Sequence, residues 1–436
     1  MVNFFLFIMF FSPFSPASLS SRLQISVKKY QLENGMTVLL NSYNQSRICS
    51  YLLGISTGSR HEQEGITGIS HMFEHLMFKG TKKYPSFDQA HSRSGIIRTN
   101  AFTSHDYTAY VASFPCDQLD LILDMESDRM VNLTFTQEEL DKERQAVQEE
   151  RLLSIDNSPT GQLFELFFKT LFKKHPYKWP IIGSKKDIAN YTLKDLRNWY
   201  STYYSPNNAT LVLSGNFSER KARKLIQKYF SPLKSKKIPE EVLVKEPVQT
   251  QFRYASIANN VQSPYVVMGF KIGSGGTKEN LALKTLADIL GSGESSRLYK
   301  KLVREKKLVP FISVSILGTL QENVFFILYP LLDKSKEEEV KGVIQEEIQK
   351  LFTEPISQKD LEKMKNMELS DLVSGLKTSA SRVRILSRYD LFYKNYKKIY
   401  SDIDDLDSLT VSYIQKVAKK YLDFKKMSYV ILKSKK

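Results

Sequence analysis

Two histidines and one glutamate stand within five residues, in the segment His71-Met72-Phe73-Glu74-His75. Apolar residues recur at helical spacing on both sides of this segment, which predicts a helix. On a helix, His71 and His75 share one face about a turn apart, so both imidazoles can bind one zinc ion. Glu74 lies on the same turn, where it can accept a proton from water that the metal has acidified. The order H-x-x-E-H is typical of one class of zinc-dependent peptidases.

A zinc site of this kind needs a third protein ligand and a position left open for water. The segment DKERQAVQEER has helical character and carries Glu143 and Glu150, which are seven residues apart and therefore on one face. Either carboxylate is available as the third ligand. Glu149 points about 100° away from Glu150 on an ideal helix, which makes it the weaker candidate.

The remaining histidines do not extend this constellation. His175 is expected to be a structural loop residue. His61, His91 and His105 have no ligand spacing, and we expect them to be exposed.

The composition excludes several other classes of function. The chain has 436 residues, 42% hydrophobic and 25% charged, which indicates an ordinary globular protein of two domains. The formal charge of +16 is not accompanied by a zinc finger or an arginine-rich arm, so no nucleic-acid partner is expected. The two cysteines, Cys49 and Cys116, cannot form a cysteine-rich metal site, and the sequence leaves open whether they pair.

The first residues read as a targeting segment. Residues 4–11 form an apolar run that is followed by serine, proline and alanine, as in a secretory signal. We expect residues 1–20 to be a signal peptide that is removed, and the protein to be exported, to the periplasm or outside the cell. The run is too short to span a bilayer, so no stable membrane span is expected.

The elements that would position these residues form two similar halves. Strand and helix patterns alternate over residues 25–230, a polar, proline-containing linker covers 231–250, and residues 251–436 repeat the first half in outline. The expected fold class is α+β, with two homologous sandwich domains that each pack helices on an antiparallel-rich sheet. In the repeat, Met364 stands opposite Glu143 and Asp371 opposite Glu150, so only the first half carries metal ligands.

Six segments together resemble the pitrilysin/insulinase family of zinc metallopeptidases, in the branch that includes processing peptidases. They are GISHMFEHLMFKGT, NAFTSHDYTAY, ERQAVQEE, HPYKWPIIG, YYSPNNATLVLSG and GSGESSRLYKKLVREKKL, and the similarity extends over about residues 25–436. The resemblance implies a clamshell chamber of which this chain forms one half.

The resemblance also implies roles for individual residues. His71, His75 and Glu150 would bind one zinc ion per chain, Glu74 would be the catalytic base, and Glu143 would orient a ligand. The residues implied to contact substrate are Asn100 and Ala101, on a strand that holds the peptide, and Arg304 in the second half.

One departure from the family pattern concerns a possible partner. Relatives offer a tyrosine seven residues after the arginine, and here Phe311 takes that place, without a hydroxyl to donate to an oxyanion. In two-subunit relatives a homologous chain supplies the Arg/Tyr pair. We therefore expect this chain to be the zinc half of a heterodimer, and a homodimer is the alternative.

The expected function is a zinc-dependent endopeptidase that hydrolyses short or unfolded polypeptides. The alternative is a non-catalytic structural or assembly subunit of the same fold, which the retention of all four key side chains disfavours. A polyanion-binding role depends on net charge alone.

Overall fold

The structure is a computed structural model that describes residues 23, 25–43, 46–241 and 243–435. The expected signal peptide, residues 1–20, lies outside the described residues. Within them no helix combines the length and the apolar character needed to cross a membrane. The α+β fold class is confirmed, with one open sheet and its helices in each half of the chain.

The first half contains a six-stranded sheet in the order β1-β2-β6-β3-β5-β4. Its strands are β1 (Lys28–Gln31), β2 (Thr37–Ser42), β3 (Ile48–Ile55), β4 (Arg98–Thr103), β5 (Thr108–Pro115) and β6 (Ala209–Gly215). Its helices are α1 (Ile69–Leu76), α2 (Phe87–Arg93), α3 (Leu119–Asn132), α4 (Gln137–Arg151), α5 (Pro159–Leu171), α6 (Lys185–Asn190), α7 (Leu193–Tyr203) and α8 (Glu219–Phe230). The central strands β3 and β6 are almost wholly buried because helices cover both faces of the sheet.

The second half contains a five-stranded sheet in the order β7-β11-β8-β10-β9. Its strands are β7 (Arg253–Asn259), β8 (Tyr265–Ile272), β9 (Ser313–Ile316), β10 (Asn323–Pro330) and β11 (Ser428–Ser434). Its helices are α9 (Lys278–Gly291), α10 (Glu337–Thr353), α11 (Gln358–Gly375), α12 (Ser379–Tyr393), α13 (Lys398–Asp407) and α14 (Val411–Tyr421). The order repeats that of β2-β6-β3-β5-β4, as the repeat in the sequence predicts.

Each half contributes one helix to the outer face of the other half's sheet. Helix α5 of the first half packs on the second sheet, and helix α12 of the second half packs on the first sheet. The first contact joins Leu163, Phe167 and Leu171 to Val267, Val430 and Leu432, and the second joins Val383, Leu386 and Leu391 to Leu39, Leu52 and Val212. Burial of both outer faces therefore depends on both halves.

Two glycines allow these exchanged helices to approach their sheets closely. A Cβ atom at Gly54 in β3 would lie 2.5 Å from a methyl carbon of Leu391, and one at Gly269 in β8 would lie 2.2 Å from the ring of Phe167. Gly54 and Gly269 occupy equivalent strands of the two sheets. Each sheet thus has a glycine at the point where a bulky side chain from the other half fills the space.

The linker joins the halves through buried polar contacts. No helix or strand forms between Phe230 and Arg253 in the described part of this stretch. The carboxylate of Glu246 accepts backbone hydrogen bonds from Lys173, Lys174 and His175 at 2.8–2.9 Å. The stretch therefore lies against the first half rather than extending freely between the sheets.

The structure shows whether the two cysteines pair and how far three of the histidines are buried. Cys49 on β3 and Cys116 after β5 form a disulfide. The expectation that His91 and His105 are exposed is wrong, since both are buried, and His61 is half-buried. Aromatic neighbours explain the burial of His105, whose ring lies 4.8 Å from that of Tyr177 and whose Nδ1 bonds the Ser59 hydroxyl.

Candidate metal centre

Helix α1 presents an apolar face to the core and a polar face to the candidate site. Ile69, Met72, Phe73 and Leu76 are buried against the first sheet and its neighbouring helices. Since these residues recur at three- and four-residue intervals, His71, Glu74 and His75 are left together on the opposite face. The rings of His71 and His75 are 4.8 Å apart between centroids.

Helix α4 brings a carboxylate to this histidine pair. A capping box formed by Thr136 and Glu139 begins the helix, and buried Leu140 and Val147 pack it on the core. The same packing places Glu150 beside both rings: its Oε1 is 3.6 Å from Nε2 of His71, and its Oε2 is 3.4 Å from Nε2 of His75.

The three side chains fit a zinc ion. One ligand atom from each of His71, His75 and Glu150 lies within 4.8 Å of the others. Ligand bonds of 2.0–2.1 Å in a tetrahedral site separate neighbouring ligand atoms by ~3.4 Å, which is close to the observed nitrogen–oxygen distances. Two imidazoles and one carboxylate are also a donor set of catalytic zinc sites. Three protein ligands leave the fourth position of a tetrahedral site open.

Electrostatics around His75 hold its ring in place. Nδ1 of His75 is 3.3 Å from Oε2 of Glu143, whose Oε1 in turn pairs with Nζ of Lys79 at 2.5 Å. Burial lowers the pKa of His75, but hydrogen bonds to the Glu143 and Glu150 carboxylates outweigh it and raise that pKa to about 9. The same bond to His75, helped by Lys79, lowers the pKa of Glu143 to about 2. Glu143 therefore contacts His75 at Nδ1, the ring nitrogen opposite the one that faces Glu150, which is where carboxylates contact metal-bound histidines.

Glu74 faces the same space from the next position on α1. Its Oε2 accepts a hydrogen bond of 2.6 Å from the hydroxyl of Thr103 at the end of β4. Burial raises the pKa of Glu74, and the Thr103 hydrogen bond opposes that rise. A carboxylate with a raised pKa beside a metal position is suited to take up and return a proton.

Strand β4 is the edge of the first sheet that adjoins the site. Within this strand the side chain of Ala101 is buried, whereas that of Asn100 is exposed. A pocket beside the candidate ligands is lined by residues of α1, β4, α4, the turn after α4 and the segment after α5: His71, Glu74, Ala101, Phe102, Thr103, Glu150, Ser154, Ile181 and Ile182. An extended peptide added to β4 would therefore lie across the candidate ligands.

The structure does not bring Arg304 to this site. Arg304 lies in a π-helical turn, Tyr299–Glu305, of the second half and forms an ion pair with Glu294. Phe311 follows it and is 40% exposed. Neither side chain contacts the candidate ligands within the described part of the chain.

A carboxylate that sequence reasoning missed holds the beginning of α1. The helix begins after Gly68, which has a φ of 86° and offers no side-chain cap. The buried carboxylate of Glu62 accepts hydrogen bonds from the backbone N–H groups of Gly68 at 2.6 Å and Ser70 at 2.9 Å. Glu62 precedes the first residue of the helix by seven positions. Its role depends on the hydrogen bonds that its side chain accepts from the helix backbone, and the sequence does not reveal these bonds.

Gly68 also fixes α1 against a second segment of the first half. A Cβ atom at Gly68 would lie 2.2 Å from the carbonyl oxygen of Ile182, and one at Gly183 would lie 2.1 Å from that of Thr67. The Thr67 N–H donates to Asp187 of α6 at 3.0 Å. These contacts join the segment HPYKWPIIG to the beginning of helix α1.

Two α+β halves, with a histidine pair and a carboxylate converging in one of them, define the zinc metallopeptidase class of protein. Residues 37–185 match the family described as Insulinase (Peptidase family M16), and residues 190–368 match the Peptidase M16 inactive domain. The chain belongs to peptidase family M16, as the resemblance in the sequence predicts.

Relatives within the family are similar along almost the whole chain. Zinc protease PqqE of Helicobacter pylori is 33% identical over 409 residues, which cover 92% of this chain and 91% of that protein. The uncharacterized zinc protease YmxG of Bacillus subtilis is 26% identical over 394 residues, covering 90% and 95%. The crystal structure of a protease from Helicobacter pylori superimposes with a TM-score of 0.90 at 32% identity, over 94% of this chain and all of that one.

Proposed function

We propose that this protein is a zinc-dependent endopeptidase that hydrolyses peptide bonds in short or unfolded polypeptides. The observation that carries the proposal is the convergence of His71, His75 and Glu150 beside a half-buried Glu74 at a sheet edge. The names of the relatives support zinc protease chemistry in general. A short or unfolded polypeptide can adopt the extended conformation that pairing with the edge of β4 requires.

The side chains divide the reaction between them. A zinc ion in the site would supply a Lewis acid that polarises a carbonyl and lowers the pKa of water. Glu74 takes a proton from the water whose oxygen bonds to the carbonyl carbon, and it returns that proton to the nitrogen as the C–N bond breaks. Thr103 holds the Glu74 carboxylate by its hydrogen bond, and β4 holds the peptide backbone in line with it.

The first test is the substitution Glu74→Gln. It keeps all three candidate ligands and removes the base, so we expect one bound zinc per chain and hydrolysis reduced by ~10²-fold or more. The measurements are metal content by mass spectrometry and cleavage of an unstructured fluorogenic peptide, with and without a chelator. Wild-type activity should disappear with the chelator and return with zinc. Undiminished hydrolysis by the variant would refute the proposal.

We further propose that a homologous subunit completes the site. Arg304 is engaged with Glu294, and exposed Phe311 cannot donate a hydrogen bond to an oxyanion. The partner would supply an Arg/Tyr pair and close a chamber over β4. Hydrolysis should then require addition of such a homologue, and full activity of the chain alone would contradict this part. Absence of hydrolysis under both conditions would favour the alternative, a structural subunit of the same fold.

Export is part of the proposal. The apolar run over residues 4–11 has the character of a secretory signal. The disulfide between Cys49 and Cys116 suits an oxidising compartment such as the periplasm. Fractionation of cells should recover the protein outside the cytoplasm without its first ~20 residues.

A further inference from the structure

The outer edge of β7 has no partner strand among the described residues. In the first half the equivalent strand is β2, which runs parallel to β6 as β7 runs parallel to β11. There the edge position is filled by β1, which pairs with β2 in the antiparallel direction. The second half therefore has the position for an additional antiparallel strand but, in its described residues, no strand to fill it.

Strand β7 lacks the features by which proteins usually protect a free edge. It is seven residues long and contains no lysine, proline or acidic residue, whereas β1 is four residues long and begins with Lys28 and Lys29. Large apolar side chains are exposed along β7 and just before it: Phe252 at 43%, Tyr254 at 50% and Ile257 at 36%. The one charged residue, Arg253, donates to the carbonyl groups of Thr170 and Leu171 and so points away from the edge.

The hydrogen bonds to β11 show which backbone groups of β7 face outward. The N–H of Arg253 donates to the carbonyl of Met427, and the carbonyl of Asn259 accepts from Lys435. Odd-numbered residues therefore bond to β11, because backbone groups of successive residues point to opposite sides of a strand. The N–H and C=O groups of Tyr254, Ser256 and Ala258 face the open edge.

We propose that two copies of this chain associate through antiparallel pairing of β7 with β7 about a two-fold axis at Ser256. In this register Tyr254 lies opposite Ala258 of the second copy, and Ala255 lies opposite its Ile257. Each pair matches a large side chain with a small one, and no like charges face each other. The two five-stranded sheets become one continuous sheet, and the exposed apolar side chains are covered by the copy. This inference does not depend on catalytic activity.

The mass of the purified full chain in solution, measured by light scattering over a range of concentrations, tests the pairing. The expected value is twice the mass of one chain, which is 50.3 kDa when all 436 residues are retained. The two-fold register also predicts that Ser256→Cys forms an intermolecular disulfide, because paired Cα atoms across such a strand pair are ~5.5 Å apart. Cys49 and Cys116 are already joined, so no other thiol competes. Ser201→Cys, at an exposed position on α7, is the matched control and should not cross-link.

A second pair of variants separates this edge from other surfaces. Ser256→Pro removes an N–H that faces outward and leaves the bonds to β11 intact, so the folded chain should become monomeric. Ser256→Ala should remain dimeric, and Tyr254→Lys gives an independent way to block the edge. Circular dichroism and thermal melting verify folding. A monomeric wild type, or a dimer that persists in folded Ser256→Pro without cross-linking of Ser256→Cys, would overturn the proposal.

Discussion

At the candidate metal site one carboxylate lies close to two histidines. Glu150 places one oxygen near each Nε2 atom of His71 and His75. Its neighbour Glu149 lies on another face of α4, in a separate surface depression beside Gln145. Helix geometry alone distinguishes these adjacent and chemically identical side chains.

This difference predicts the behaviour of a matched pair of variants. Glu150→Ala removes a ligand oxygen and should lower zinc affinity by at least ~10-fold, whereas Glu149→Ala should bind zinc as the wild type does. Competition with a chromogenic chelator measures both affinities under the same conditions. Equal affinities in the two variants would exclude Glu150 as a ligand.

Spacing within a helix makes part of this site readable from the sequence. His71, Glu74 and His75 share a face by their four-residue span, and Glu143 and Glu150 share one by their seven-residue span. The Thr103 hydroxyl and the burial of His91 could not be read, since both depend on which strands and helices lie together. Local periodicity places residues on a face, and only tertiary packing decides what that face meets.

At the scale of elements, α1 depends on a carboxylate outside the helix. The first amide groups of a helix need acceptors, and Gly68 offers no side chain for this purpose. The buried carboxyl group of Glu62 accepts hydrogen bonds from two of them, the N–H groups of Gly68 and Ser70. Burial raises the pKa of Glu62 from 4.5 to about 8, and the backbone hydrogen bonds oppose that rise.

The raised pKa predicts a pH-dependent effect of Glu62→Gln. Between pH 4.5 and 8 the folded state keeps a proton on Glu62 that the unfolded state releases, so this contribution to stability is lost as pH rises through that range. Gln cannot ionise, and its NH2 group leaves one backbone N–H without an acceptor at a cost of about 1–3 kcal/mol. The variant should therefore melt below the wild type at pH 5, by a difference that shrinks towards pH 8.

The control for this experiment is two residues away. Glu64 is exposed, so Glu64→Gln should change the melting temperature little at either pH. If the melting temperature of the wild type exceeds that of Glu62→Gln by more at pH 8 than at pH 5, Glu62 is ionised in the folded protein.

The order of helices and strands could largely be predicted from the sequence. The packing of α5 and α12 on the sheet of the opposite half could not. The apolar spacing in α1 and the turn before β2 are local signals. The apolar face of α5 is equally clear, but the sequence near Phe167 does not state which sheet it covers. The partner strands lie about 100 residues or more further along the chain.

At the scale of the whole molecule, each half contributes to the other's stability. Helices α5 and α12 cover the outer faces of the opposite sheets. Gly269 is matched to Phe167 from the other half, and Gly54 is matched to Leu391. We therefore expect the two halves to unfold in one transition.

A double-mutant cycle tests the contact between Gly269 and Phe167. Gly269→Ala should destabilise by about 1–3 kcal/mol because its Cβ meets the ring, and Phe167→Ala by about 3–5 kcal/mol because it leaves a cavity. In the double variant the new methyl group enters that cavity, so the loss should be smaller than the sum by about 1 kcal/mol or more. Chemical denaturation of the four proteins gives the coupling, and simple additivity would contradict the packing described. Gly54 and Leu391 provide the equivalent cycle in the first sheet.

The exchanged helices also limit how the protein could be shortened. A fragment ending at residue 230 would retain every candidate zinc ligand and the base. It would nevertheless lose α12, and with it the cover over Leu39, Leu52 and Val212. Such a fragment would expose an apolar sheet face to water and would be prone to aggregate. Excision of the half that carries no candidate ligands should therefore cost the protein its solubility before it reveals anything about catalysis.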